Sequence, residues 1–172
     1  MSIAYYANKA TEAFWSDYWQ QTQLNQLLKV AARDPLTQHF KRHLPKSGLI
    51  LEGGCGLGQY VLFFQQQGYR IIGGDFSLPA LQAHQKVSGN SPLVGLDLCH
   101  MACPDNTFQA HISIGVIEHY AFLLWHKLVY MVLSIHRKRK DNGLVCLIWI
   151  LCKTTEWAVL VHCDLCLSYH IL

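Results

Sequence analysis

Three carboxylates and a run of glycines carry the chemistry in this chain. Glu52 follows the apolar run Leu49-Ile50-Leu51 and precedes Gly53 and glycines that alternate at positions 54, 56 and 58. Such a turn lets the backbone bend sharply and approach a ligand with no Cβ in the way. Asp75 closes a second apolar segment, about twenty positions on, where a carboxylate can accept from both hydroxyls of a ribose. Asp97 closes a third, weaker one. His119, next to Glu118, is an imidazole able to take a proton near neutral pH.

These residues need strands and helices to hold them. Leu49 to Leu51 suits a short buried parallel strand, and Tyr60 to Gln67 before Gly68 reads as a helix with a glycine stop. Tyr69 to Gly74 predicts a second strand that delivers Asp75. Ser77 then opens a helix with Pro79 in its first turn, carrying Leu78, Leu81 and His84. Leu93 and Val94 begin a third strand ending near Asp97-Leu98, and Phe108 to Val116 predicts a fourth. A helix over His119 to Ile135, the turn Asp141-Asn142-Gly143 and a fifth strand over Leu144 to Leu151 complete the alternation. Upstream, Phe14, Trp15, Tyr18 and Trp19 recur at helical spacing, as do Leu24, Leu27 and Leu28. Asp34-Pro35 predicts a break before a short helix over Thr37 to Leu44. The plain reading of the upstream aromatics is core packed on the sheet; the alternative, implied by the family resemblance given below, is a cover for the ligand. The strand–helix alternation predicts a parallel sheet with helices on both faces.

Spacing discriminates between nucleotides. A dinucleotide fingerprint starting at Gly54 needs its third glycine at position 59, which is Gln59. Glu52 with Gly54-x-Gly56-x-Gly58 instead resembles the first motif of the class I S-adenosylmethionine-dependent methyltransferases. Three further segments match that family in order: Ile71 to Ser77, Gly95 to Leu98, and Ser113 to Tyr120. Met101 to Gln109 resembles its turn before the fourth strand, with Ala102 in place of a proline and Gln109 in place of an acid. The resemblance implies a Rossmann-like doubly wound α/β domain with N-terminal helices and S-adenosyl-L-methionine as cofactor. Glu52 would face the cofactor's positive charge, Gly54, Gly56 and Gly58 would lie against it, and Asp75 with Phe76 would hold the ribose. Asp97 and Leu98 would meet the adenine, and the Gly115 backbone would line the methionine end. His119 is the candidate base for a hydroxyl acceptor; otherwise it is a helix-start residue. The closest subgroup resembles the small-molecule, quinone-biosynthesis methyltransferases.

The chain has 172 residues, which suits one domain: a helical cap over 1–44, a cofactor-binding core over 45–120 and a divergent part over 121–172. Charged residues make up only 15%, but the longest uncharged apolar run, Leu144 to Cys152, is far shorter than the ~20 residues of a membrane span. Residues 1–10 lack the apolar stretch of a signal peptide. A net charge of +3 is too mild to imply a nucleic-acid or acidic partner, and the partner that the resemblance implies is a small-molecule substrate. Seven cysteines without framework spacing predict free thiols and a cytoplasmic location.

Other motifs weigh less. His39 and His43 form a surface pair without the zinc-protease glutamate, since position 40 is Phe40. Cys163-Asp164-Leu165-Cys166 is a lone CxxC, Arg137 to Lys140 a solvated basic loop, and Cys55 a small residue that fits the turn. After Tyr120 the resemblance fades. The family's sheet continues with a hairpin of two strands, for which Lys153 to Leu172 is too short. The sheet is therefore expected to be incomplete at its C-terminal edge, with Leu144 to Leu151 exposed unless Trp157 to Leu167 pairs as one extra strand. A frameshifted or decayed end of the gene, a different splice and a divergent small C-terminal part each fit this. Three readings follow: a methyltransferase, a truncated and inactive cofactor-binding or interaction protein, and a nicotinamide-dependent oxidoreductase disfavoured by Gln59.

Overall fold

The computed structural model describes residues 11–101, 103, 104, 107–116, 144–150 and 157–163, the last two segments as backbone. Among the described residues three helices come first: α1 (Glu12–Gln20), α2 (Leu24–Arg33) and α3 (Pro35–His43). Asp34 divides the last two. Its carboxylate accepts the Leu36 N–H at 2.9 Å while Pro35 sits in the first turn. A capping acid followed by proline is a preorganised helix start, which is why α3 begins before the expected Thr37.

Among the described residues six strands make one sheet: β1 (Ile50–Gly53), β2 (Ile71–Asp75), β3 (Leu93–Gly95), β4 (Ala110–Ile114), β5 (Leu144–Ile150) and β6 (Trp157–Cys163). Their order is β3-β2-β1-β4-β5-β6. The first five run parallel, and β6 lies antiparallel to β5 with register from Leu144↔Cys163 to Ile150↔Trp157. The expected exposed edge at the fifth strand is thereby corrected. The segment Trp-Ala-Val-Leu-Val-His-Cys has the β-branched and aromatic content to pair as a strand, and it covers the second row of β5 backbone groups. The helix expected over His119 to Ile135, the basic loop and most of the CxxC lie outside the described residues.

Two helices connect the first three strands. Gly68 ends α4 (Gln59–Gln66), as expected, with its N–H on the Gln65 carbonyl at 2.9 Å. Ser77 caps α5 (Leu78–Ser88) by accepting the Ala80 N–H. One sheet face, Ile50, Ile71, Ala110 and Ile112, is buried under Val61 and Phe64 of α4 and Phe40 of α3. Edge-to-face ring pairs, Phe40–Tyr60 at 5.6 Å and Phe64–Tyr69 at 5.1 Å, lock these layers together. Leu51 and Phe108 are buried in a cluster with Leu49, Ile72 and Leu96. Each fully buried side chain of this size contributes about 1.5–3 kcal/mol, so the core fixes the strand ends that carry the site.

The upstream aromatics depart from the plain expectation. No residue of α1 is buried, and Trp15 and Trp19 stack on each other at 6.2 Å instead of entering the sheet core. Trp19 packs against a cluster around Leu24, Leu57 and Ala80, at the outer end of the glycine turn.

Candidate cofactor site at the sheet's switch point

Strand order reverses at β1, between β2 and β4, and ligands of open α/β sheets bind beyond the strand ends at such a point. The turn that leaves β1 is built from glycines in the left-handed region, with φ of +72° at Gly54, +54° at Gly56 and +66° at Gly58. Other side chains pay no steric penalty for sitting against it. A Cβ on Gly54 would lie 2.3 Å from Val116, one on Gly56 2.3 Å from the Trp19 ring, and one on Gly58 2.7 Å from the His84 ring. The turn's N–H groups point inward. Gly54 and Cys55 donate to the Gly74 carbonyl at 2.7 and 3.1 Å, and Gly58 donates to the Cys55 carbonyl at 2.8 Å. Gly56 donates to Asp75 Oδ2 at 2.7 Å. A phosphate cradle keeps such donors for its anion, and here they are committed to the protein.

Asp75 is buried, and its Oδ1 accepts the Ser77 N–H at 2.8 Å. Burial raises its pKa, an effect opposed by the N–H groups of Ser77, Gly56 and Phe76. The carboxylate keeps lone pairs for a ligand, since each oxygen can accept more than one bond. Phe76, half-buried, follows it directly.

Glu52 shares the face of Ile50 and Ile112, so its side chain runs under the start of α4. Burial pushes it up to about 8; the Val61 N–H, which it accepts, opposes this, and the nearby Asp75 charge adds to it. Gly58, the N-cap of α4, offers no side-chain cap, and Glu52 supplies that acceptor from the strand below. Its Oε2 is buried without a hydrogen-bond partner among the described residues. At neutral pH the raised value leaves this carboxyl protonated, with an O–H to donate, and a bound cation would draw it into its ionised form.

The remaining candidates gather round this point. Leu98 is buried with its side chain against Gly53, and Leu96 donates its N–H to the Asp75 carbonyl at 2.9 Å. Asp97 lies past the end of β3, which stops at Gly95. Burial would raise its pKa, but hydrogen bonds from His100 Nδ1 at 2.7 Å and the Cys99 N–H at 2.8 Å hold it below the usual carboxylate range. Gly115, with φ +67°, precedes the Val116 that rests on Gly54. The structure thus brings together Glu52, the glycine turn, Asp75, Leu98 and Gly115, while His119 lies outside the described residues. Cys55 is buried beside Glu52 and Asp75; burial and those carboxyls push its thiol well up, so it is an inert packing group. His39 and His43 sit side by side, rings 4.6 Å apart, and no group of three metal-binding side chains occurs among the described residues.

Sequence reasoning missed the contacts of Trp19, Val116 and His84 with the turn. A signal existed for His84 alone: Ser77, Ala80, Leu81 and His84 follow the spacing of one helix face, and that face is buried.

A family model described as a methyltransferase domain matches residues 51–147, more than half of the chain. The chain belongs to the class I methyltransferases. S-adenosyl-L-methionine is the cofactor of that family. The protein named methyltransferase YqeM, of Bacillus subtilis strain 168, is 32% identical over 89 residues, which are 50% of this chain and 36% of YqeM. The fold is similar to that of a Methanococcus maripaludis methyltransferase, with TM-score 0.59 and 14% identity over 81% of this chain and 64% of that one. The glycopeptide N-methyltransferase MtfA, solved with sinefungin, gives TM-score 0.56 and 18% identity over 70% of this chain and 56% of its own. The chain therefore spans about a third of the curated relative and between half and two thirds of these structures. The inward donors and the partnerless Glu52 oxygen fit the cofactor, whose ammonium and sulfonium groups are cationic and which has no pyrophosphate.

Proposed function

We propose that this single domain binds S-adenosyl-L-methionine at the C-terminal ends of β1 and β2 and methylates a small-molecule acceptor. The observation that carries this reading is the Asp75–Gly56 hydrogen bond. It sets a ribose-type carboxylate against a glycine turn whose donors are already used, an arrangement with no use for a pyrophosphate. Asp75, flanked by Phe76, accepts from the ribose hydroxyls, and Gly54, Gly56 and Gly58 allow close approach. Glu52 balances positive charge from below, Asp97 and Leu98 bound the adenine end, and the Gly115 backbone lines the methionine end. The cofactor supplies an activated methyl on sulfur, so the protein's own work is alignment and exclusion of water. Where the acceptor is a hydroxyl, His119 takes its proton. Cys55 and Cys103 are free thiols, which agrees with work in the cytoplasm. No helix among the described residues is long and apolar enough to cross a membrane.

Calorimetry with S-adenosylmethionine, S-adenosylhomocysteine and the nicotinamide dinucleotides tests the proposal. Binding of the first two alone is the expected result; binding of a dinucleotide instead overturns it. Release of S-adenosylhomocysteine in a metabolite pool then separates a working enzyme from a domain that only binds.

A further inference from the structure

His84 is a fully buried polar side chain that the chemistry above does not use. It lies on the inner face of α5, where Ala80 and Leu81 are also buried. Its Nδ1 is 2.8 Å from the Leu57 carbonyl oxygen, across 27 residues of sequence. A carbonyl only accepts, so the proton is on Nδ1 and Nε2 carries a lone pair. Burial lowers the pKa of the ring, in keeping with this neutral form. Nε2 is itself buried and has no hydrogen-bond partner among the described residues. The ring also fills the space that a Cβ on Gly58 would occupy, 2.7 Å from Nδ1.

Leu57 and Gly58 are the last two residues of the turn, and Gly58 starts α4 without a side-chain cap of its own. Gly54 and Cys55 are tied to β2, and Gly56 to Asp75. Leu57 is tied to α5, through His84. An apolar side chain would pack as well, at less desolvation cost and with no idle nitrogen. We infer that His84 is a positioning residue for cofactor binding: its Nδ1–H fixes the Leu57 carbonyl and so sets the far end of the glycine turn and the first turn of α4. This rests on the proposed cofactor site, but the hold on the turn can be read without any cofactor.

His84→Leu fills the space with an apolar side chain and removes the donor; His84→Asn keeps an N–H donor near the Nδ1 position. Amide exchange over residues 54–62 of the unliganded protein should quicken in His84→Leu and return toward the parent in His84→Asn. Losing one buried hydrogen bond, worth about 1 kcal/mol, should weaken S-adenosylhomocysteine binding about fivefold in His84→Leu, with His84→Asn within about twofold of the parent. Exchange as slow in His84→Leu as in the parent overturns the inference, as does a His84→Asn variant no better than His84→Leu. Should His84→Leu not fold, nitrogen-15 spectra of the parent decide: an Nδ1–H tautomer supports the inference and an Nε2–H tautomer defeats it. A parent that binds no cofactor yet shows the exchange pattern refutes the cofactor reading, and His84's hold on the turn stands.

Discussion

Asp75 accepts the Gly56 N–H at 2.7 Å with one carboxylate oxygen and the Ser77 N–H at 2.8 Å with the other. One side chain therefore ties the glycine turn after β1 to the start of α5. The residue read from sequence as a ribose ligand is also a brace within the protein.

Asp75→Ala should therefore lose both affinity and stability. Hydrogen bonds to a charged partner contribute about 1.5–3 kcal/mol each, so S-adenosylhomocysteine affinity should fall about tenfold or more. The melting temperature should fall as well. Asp75→Asn keeps an acceptor for one N–H and should lie between alanine and the parent in both. Calorimetry and thermal melts check this; parental affinity in a folded alanine variant would exclude the ribose role.

Glu52 predicts how stability depends on pH. Its ordinary value is 4.5 and its folded value is raised to about 8. Below the ordinary value both folded and unfolded chains hold the proton. Between the two, the unfolded chain ionises first, so stability falls as pH rises, by about 1.4 kcal/mol per pH unit, and levels off above the folded value. Glu52→Gln has no proton to lose and can still accept from Val61. Its melting temperature relative to the parent should climb from pH 5 to 8 and then flatten. A difference constant across that range would show that Glu52 is already ionised in the fold.

Trp19 against Gly56 gives a steric test. Gly56→Ala places a Cβ 2.3 Å from the ring and holds alanine at φ +54°. The left-handed conformation alone costs about 1–2 kcal/mol in a non-glycine residue. Adding Trp19→Ala should relieve the clash but not that cost, so the double variant should recover only part of the lost stability. Full recovery in denaturant titrations would mean the turn tolerates alanine's backbone preference.

The strand pairing of β5 with β6 makes a further prediction. Backbone amides of Leu144–Ile150 should exchange slowly because β4 and β6 flank that strand. Removing residues 157–172 should leave an unpaired edge, bind a hydrophobic dye and promote self-association. Fast exchange over Leu144–Ile150 in the intact chain would argue against the pairing.

Much of this was legible in the sequence because it depends on local pattern. The apolar runs before Glu52 and Asp75, the glycine stop at Gly68 and the Ser77 cap each specify their element within a few residues. What Glu52 does was only half legible: its acidity could be read, but its place under α4 depends on which sheet face it takes. The contacts of Trp19 and His84 with the turn were not legible, since they depend on how α1 and α5 pack. β6 was legible only as a conditional extra strand over Trp157 to Leu167, because a short apolar segment interrupted by His162 has no partner until β5 offers one.

The inward-facing donors of the glycine turn bear on redesign. Gln59→Gly would complete the dinucleotide spelling after Gly54 and Gly56, yet it would free none of the N–H groups at 54, 55, 56 and 58 that the fold already uses. Converting this scaffold to a phosphate binder would mean rerouting Asp75 and the Gly74 carbonyl, since the consensus letters alone leave an anion with nothing to hold it.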